Sequence, residues 1–187
     1  MRNDRPVESE LETIDLARRK QSFMWIDIDA TRYMGFVLDA SPALLFVKRV
    51  EEFVPMGYVV LRRSAVESVD LDLPNITFAD SFLRREGLGP SQVDPIIDLS
   101  SMTTALNSMQ KLSSMVSAER QSSEHDDRCD MLVGEISSVD DLRLRIRHVS
   151  TIGDRDADET EMLVHEIIIV EFDSPYLKAF QRHVFDR

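Results

Sequence analysis

The sequence predicts a mainly β protein with helices (α+β), built as two small antiparallel β-barrels joined by a helix. Three observations predict it. Short apolar or alternating segments bounded by Gly and Pro cluster in two blocks, one before residue 75 and one after residue 130. The segment between them carries apolar residues at helical spacing. The two blocks also align with each other in one register.

The elements follow in order. Val7, Leu11 and Ile14 stand at i, i+4 and i+7 behind Pro6, which predicts a short amphipathic N-terminal helix ending by Lys20. Phe23 to Asp29 is apolar and then alternating, a strand. Gly35 to Asp39, Ala43 to Val50, Tyr58 to Leu61 and Ala65 to Leu71 read as four more strands, with a turn at Pro55-Met56-Gly57. Pro74 ends the block, and Phe78 to Glu86 reads as a helix stopped by Gly87. Met102, Leu106, Met109 and Val116 predict a linking helix over about Leu99 to Glu119. In the second block, Met131 to Ser138, Leu142 to Arg147 and the apolar run Met162 to Phe172 read as strands, and Tyr176 to His183 as a helix. The expected organisation is an N-terminal helix (1–22), a first barrel (23–88), a linking helix (89–124) and a second barrel with a C-terminal helix (125–187).

Gly35 aligns with Gly134, Leu45 with Leu144, Val47 with Ile146 and Val50 with Val149, an offset of 99 (134 − 35). After the intervening loop the offset becomes 101 (167 − 66), placing Val66 on Ile167, Val69 on Val170 and Asp70 on Glu171. A two-residue loop difference costs little. Leu44 to Val47 and Ile167 to Val170 are continuously apolar. Successive strand residues point to opposite faces, so such runs need cover on both sides. Packing of one barrel against the other, or against a second chain, is therefore expected.

Gly35 to Asp72 and Met131 to Asp173, with Gly-x-Val at Gly35 to Val37 and Val-x-x-Val-Asp at Val66 to Asp70, resemble the Sm-like small β-barrel. The chain is also similar to bacterial proteins that pair two such barrels. That resemblance implies strongly bent antiparallel strands with an attached helix. Members of the Sm-like family bind RNA through an Asp-Asn pair and an Arg-Gly pair. Here Asp39-Ala40 and Arg63-Ser64 stand near those places, so the RNA-contacting pairs are not reproduced.

Hydrophobic residues make up 43% and charged residues 30% of the 187, a globular balance. No apolar run reaches the roughly 20 residues that span a bilayer, and no secretory leader is expected from the acidic N-terminal stretch. The formal net charge of −12 argues against nucleic acid and against anionic membranes, whose binders rely on cationic faces. Cys129 is the lone cysteine; it lies among acids that suppress its thiolate, and it fits a cytoplasmic location.

The constellations that could carry chemistry fall short. In the acidic loop 153–161, Asp154, Asp156 and Asp158 resemble the first ligands of a calcium loop, but Glu159 stands where glycine is required and His165 where a bidentate glutamate is required. Asp27 with Asp29 and Asp70 with Asp72 are carboxylate pairs on strand faces, the geometry an acid–base pair would use. His125, His148, His165 and His183 have no metal-binding spacing. Asp39-Ala40-Ser41 resembles the start of the PilZ motif, but Leu44 replaces its glycine. Arg143, Arg145 and Arg147 form a basic stripe opposite Leu142, Leu144 and Ile146. The stripe is the candidate ligand or partner contact, with cross-strand pairing to Glu161, Glu166 or Glu171 expected.

No catalytic residue, cofactor or metal is predicted. The expected function is a non-enzymatic protein-interaction or assembly module with a protein partner or a homo-oligomer. The alternative is an RNA-binding Sm-like protein gripping phosphate through the arginine stripe.

Overall fold

The computed structural model describes residues 7–28, 31–71, 73–113, 115–120, 131–149 and 158–185. The mixed α+β architecture is as expected, but two closed barrels are not present. The strands form one open antiparallel sheet of ten, and no pairing closes either half on itself among the described residues. The Sm-like two-barrel expectation is corrected on that point.

The elements are α1 (Val7–Lys20), β1 (Phe23–Ile28), β2 (Thr31–Ala40), β3 (Leu44–Glu51), β4 (Val54–Arg62), a 3₁₀ turn (Arg63–Ala65), β5 (Ser68–Asp70), α2 (Pro74–Arg85), α3 (Met102–Leu112), β6 (Val116–Arg120), β7 (Met131–Val139), β8 (Arg143–His148), β9 (Thr160–Leu163), a second 3₁₀ turn (Val164–Glu166), β10 (Ile167–Phe172) and α4 (Pro175–Phe185). The sheet order is β5-β1-β2-β3-β4-β10-β6-β7-β8-β9. Its first five strands and its last five therefore follow the same order.

Hydrogen-bond registers recur with it. Gly35 pairs with Arg49 and Gly134 with His148. Each pair of strands then carries a bulge, between Val37 and Asp39 and between Ile136 and Ser138. The Arg63 N–H donates to the Ala43 carbonyl, and the Val164 N–H to the Leu142 carbonyl. The two glycines share one reason. A Cβ on Gly35 would sit 2.6 Å from Val47 Cγ1 and strike the Lys48 carbonyl; on Gly134 it would sit 2.6 Å from Ile146 Cγ2 and strike the Arg147 carbonyl.

Three local expectations are corrected. The helix expected over 99–119 stops at Leu112, and Val116–Arg120 is a strand between β10 and β7. Val116, Ser117 and Ala118 are all buried because β6 is central, and a fully buried strand shows no alternation to separate it from a helix face. The run Met162 to Phe172 is two strands with a 3₁₀ turn between them. Pro55 and Gly57 lie inside β4, and the chain turns instead at Glu52 and Phe53, whose φ values are +47° and +65°.

The first block of strands ends before Pro74, as expected, and Pro74 opens α2, where its missing N–H costs nothing. Ser101 caps α3 by accepting from the Thr104 N–H at 3.1 Å, while the Thr104 hydroxyl accepts from the Ser101 N–H at 3.0 Å.

The core lies on both faces of the sheet. On one face α1 buries Ile14 and Ala17 against Ile26, Val37, Leu45, Val47, Val59 and Leu61. On the other, α3 buries Met102, Leu106 and Met109 with Leu132, Ile136, Ile146 and Val170 of the second half, and with Leu44, Phe46 and Val60 of the first. The continuous apolar runs are thus covered from both sides. The cover comes from edge-to-edge joining of the halves and from the two helices. No helix among the described residues is long and apolar enough to cross a membrane.

Candidate functional site

The halves meet where β4 pairs with β10, with Leu61 opposite Ile169, Val60 opposite Val170, Val59 opposite Glu171 and Tyr58 opposite Phe172. Val59, Val60 and Leu61 of β4 and Ile169 and Val170 of β10 are buried, so the middle of the junction is apolar apart from Glu171. Polar groups are concentrated around it.

On the α1 face, Arg49 of β3 reaches across β4 to ion-pair with Glu171 of β10, and it also contacts Glu51 at 3.2 Å. Its guanidinium lies 5.2 Å from the Tyr33 ring centroid. Burial pushes the Glu171 carboxyl above the usual range, with Arg49 opposing. Burial also raises Glu119 on β6, with repulsion from Glu171 adding to it. Burial and the same two acids raise Tyr33. One arginine thus serves three carboxylates at a largely buried seam.

Arg62 closes the end of the junction. Its Nε donates to the Ile167 carbonyl at 2.8 Å and its Nη2 to the Val164 carbonyl at 3.0 Å. Both carbonyls belong to the second 3₁₀ turn and the start of β10, next to the bulge between Ile167 and Ile169.

On the α3 face, Lys48 donates to Asp94 Oδ1 at 2.9 Å and to the Gly89 carbonyl at 2.8 Å. The Tyr58 hydroxyl donates to the same Asp94 oxygen at 2.9 Å, and the Ser91 N–H donates to Oδ2 at 2.6 Å. Burial would raise Asp94, but the bonds from Lys48, Ser91 and Tyr58 outweigh it and hold the carboxyl below the aspartate range. A cavity of about 120 Å³ beside this cluster is lined by Lys48, Gly57, Tyr58, Asp173 and Lys178. Lys48 is matched by Asp94, and Lys178 by Asp173 at 2.9 Å, so the cavity carries no net cationic charge to attract an anion.

The arginine stripe lies elsewhere, on β8 near the β9 edge. Arg143 and Arg145 both pair with Glu161, at 2.5 and 2.8 Å, and Arg145 also approaches Asp140 at 3.4 Å. Arg147 stands 3.9 Å from Glu135 and 4.0 Å from Glu159. Glu166 and Glu171, the other expected partners, are taken by Arg120 and Arg49. Three residues in the first half stand at matching strand positions: Leu44 for Arg143, Phe46 for Arg145 and Val60 for Glu161. All three are buried there.

Asp27 is a structural carboxylate. Arg32 donates to it at 2.7 and 2.9 Å and the Ser68 hydroxyl at 2.7 Å, and the Arg32 bonds above all hold it below the usual range. A group kept ionised in this way is a poor proton donor. Asp29, Asp72, Cys129, His125 and the calcium-like acids Asp154 and Asp156 lie outside the described residues. Among the described residues, no group of three His, Cys, Asp or Glu side chains could hold a metal ion.

Sequence reasoning missed the junction cluster of Arg49, Arg62, Glu119 and Glu171. One signal was present: Glu171 is the single acid inside the apolar stretch Ile167 to Phe172, and an acid in a strand buried on both faces needs a partner. Comparison with known proteins returned no matching family model, no matching curated protein and no matching solved structure. Nothing there supports Sm-like membership.

Proposed function

We propose that the protein is a non-enzymatic assembly module, made of two copies of one α-β-β-β-β-β-α unit fused edge to edge, and acting in the cytoplasm by presenting its sheet to protein partners or to further copies of itself. The observation that carries this reading is the junction. The two runs α1 to α2 and α3 to α4 follow one element order, and their joining strands β4 and β10 bury apolar side chains on both faces. A unit that completes itself by sideways strand pairing is suited to assembly, because an unpaired strand edge offers a row of free N–H and C=O groups. The outer edges of β5 and β9 are unpaired among the described residues. Ion pairs to neighbouring acids occupy the arginine stripe, which weighs against the RNA reading.

Sedimentation velocity over a wide concentration range, combined with mass measurement of the protein isolated from its own host, tests the reading. Species heavier than 21.4 kDa are expected. A lone 21.4-kDa species in both preparations would sink it.

A further inference from the structure

The internal junction supplies a template for what the two free edges can do. Strand β5 has the same place in the first half as β10 in the second: Val69 pairs with Ile26 on β1, and Val170 with Ala118 on β6. Strand β9 has the place of β4: Met162 pairs with Leu144, and Leu61 with Leu45. The edges left open are therefore the two kinds of edge that join β4 to β10.

Resting on the assembly reading above, we propose that copies of this chain add head to tail, β9 of one copy pairing antiparallel with β5 of the next, with Ser68 opposite Met162, Val69 opposite Glu161 and Asp70 opposite Thr160. This register transfers the internal one, in which Ile169, Val170 and Glu171 face Leu61, Val60 and Val59.

A second copy is the occupant because the two free edges are the two kinds of edge that already join inside the chain. One side-chain position fits this: His148 occupies on β8 the register position of Arg49 on β3. Its Nδ1 is buried and has no hydrogen-bond partner among the described residues. In the proposed register Asp70 takes the place of Glu171, so Asp70 of one copy comes to His148 of the other as Glu171 comes to Arg49.

A head-to-tail contact of this kind is heterologous, so it generates rings or filaments and not an isolated dimer. Residues directly opposite across antiparallel strands lie roughly 4.5–5.5 Å apart at Cα, within disulfide range. In a Cys129→Ser background, the double variant Asp70→Cys/Thr160→Cys is expected to give, on oxidation, a ladder of multiples of 21.4 kDa. The two single-cysteine variants, folded by circular dichroism, are expected to give a cross-linked dimer only when mixed. Asp70→Asn, which removes the charge brought to His148, is expected to lower the association constant several-fold, and raising salt to weaken it as well. Heavy species in sedimentation with no ladder would overturn the edge pairing and leave the assembly reading standing. A chain that stays at 21.4 kDa in every condition would overturn both.

Discussion

Arg49 on β3 is ion-paired with Glu171 on β10, across the intervening strand β4, so that one charged contact ties the first half of the sheet to the second. Both side chains are mostly buried, at 20% and 16% exposure. Removing one partner would leave a buried charge unmatched, which is costlier than removing both. Arg49→Met is expected to destabilise the protein by roughly 2–4 kcal/mol. The double variant Arg49→Met/Glu171→Gln should recover much of that loss. Chemical denaturation of the four members of this cycle measures the coupling; simple additivity would show that the pair does not hold the seam.

The acids at that seam set a pH dependence. Glu119 and Glu171 are both raised, first by burial, with mutual repulsion adding at Glu119. A carboxyl raised in the folded state binds its proton more tightly there than in the unfolded chain. Its contribution is complete below the ordinary glutamate value of 4.5 and is lost as pH rises through the folded value. Glu119→Gln is therefore expected to raise the unfolding midpoint at neutral pH, with the gain over the native chain vanishing at acid pH. Thermal melts of both proteins across pH check this; a gain independent of pH would contradict it.

Asp94 runs the other way. Its carboxyl is held low by Lys48, the Ser91 N–H and Tyr58 against the effect of burial. Stability from it is present above the ordinary aspartate value of 3.8 and is lost as pH falls through the lowered one. Asp94→Ala is expected to cost roughly 1–3 kcal/mol at neutral pH, because Lys48 and Tyr58 lose their shared acceptor. The deficit relative to the native chain should shrink in strong acid. Urea titrations at neutral and acid pH measure it.

Gly57 and Gly87 both have positive φ, +83° and +73°, and they should respond differently to alanine. A Cβ at Gly87 meets nothing within 4 Å, leaving only backbone strain of about 1–2 kcal/mol. At Gly57 the Cβ would stand 2.6 Å from the Ser174 nitrogen and 2.7 Å from the Phe172 oxygen, both beyond the junction. Gly57→Ala is expected to cost more than Gly87→Ala by roughly 1–3 kcal/mol. Equal costs would show that β4 and the start of α4 are not pressed together.

The matching glycines offer a symmetric test. Gly35→Ala and Gly134→Ala would each drive a methyl into a cross-strand carbonyl and a β-branched side chain. Each is expected to cost roughly 1–3 kcal/mol, and similar amounts. Melting midpoints of the two variants compare them directly.

Most of the local structure was legible in the order of residues along the chain. Apolar alternation located β8 and the end of β1, and apolar runs bounded by Gly and Pro located β2 and β3. The offsets that align Gly35 with Gly134 and Val69 with Val170 were legible because side-chain period and close backbone approach are local properties. The tertiary structure alone decided how the halves join. Whether β4 closes a barrel within its own half or pairs with β10 depends on contacts more than a hundred residues apart, and both arrangements bury the same apolar run. For the same reason β6 was hidden: a central strand buried on both faces carries no alternating signature. The Arg49–Glu171 pair was hidden too, since only folding brings its two residues across β4.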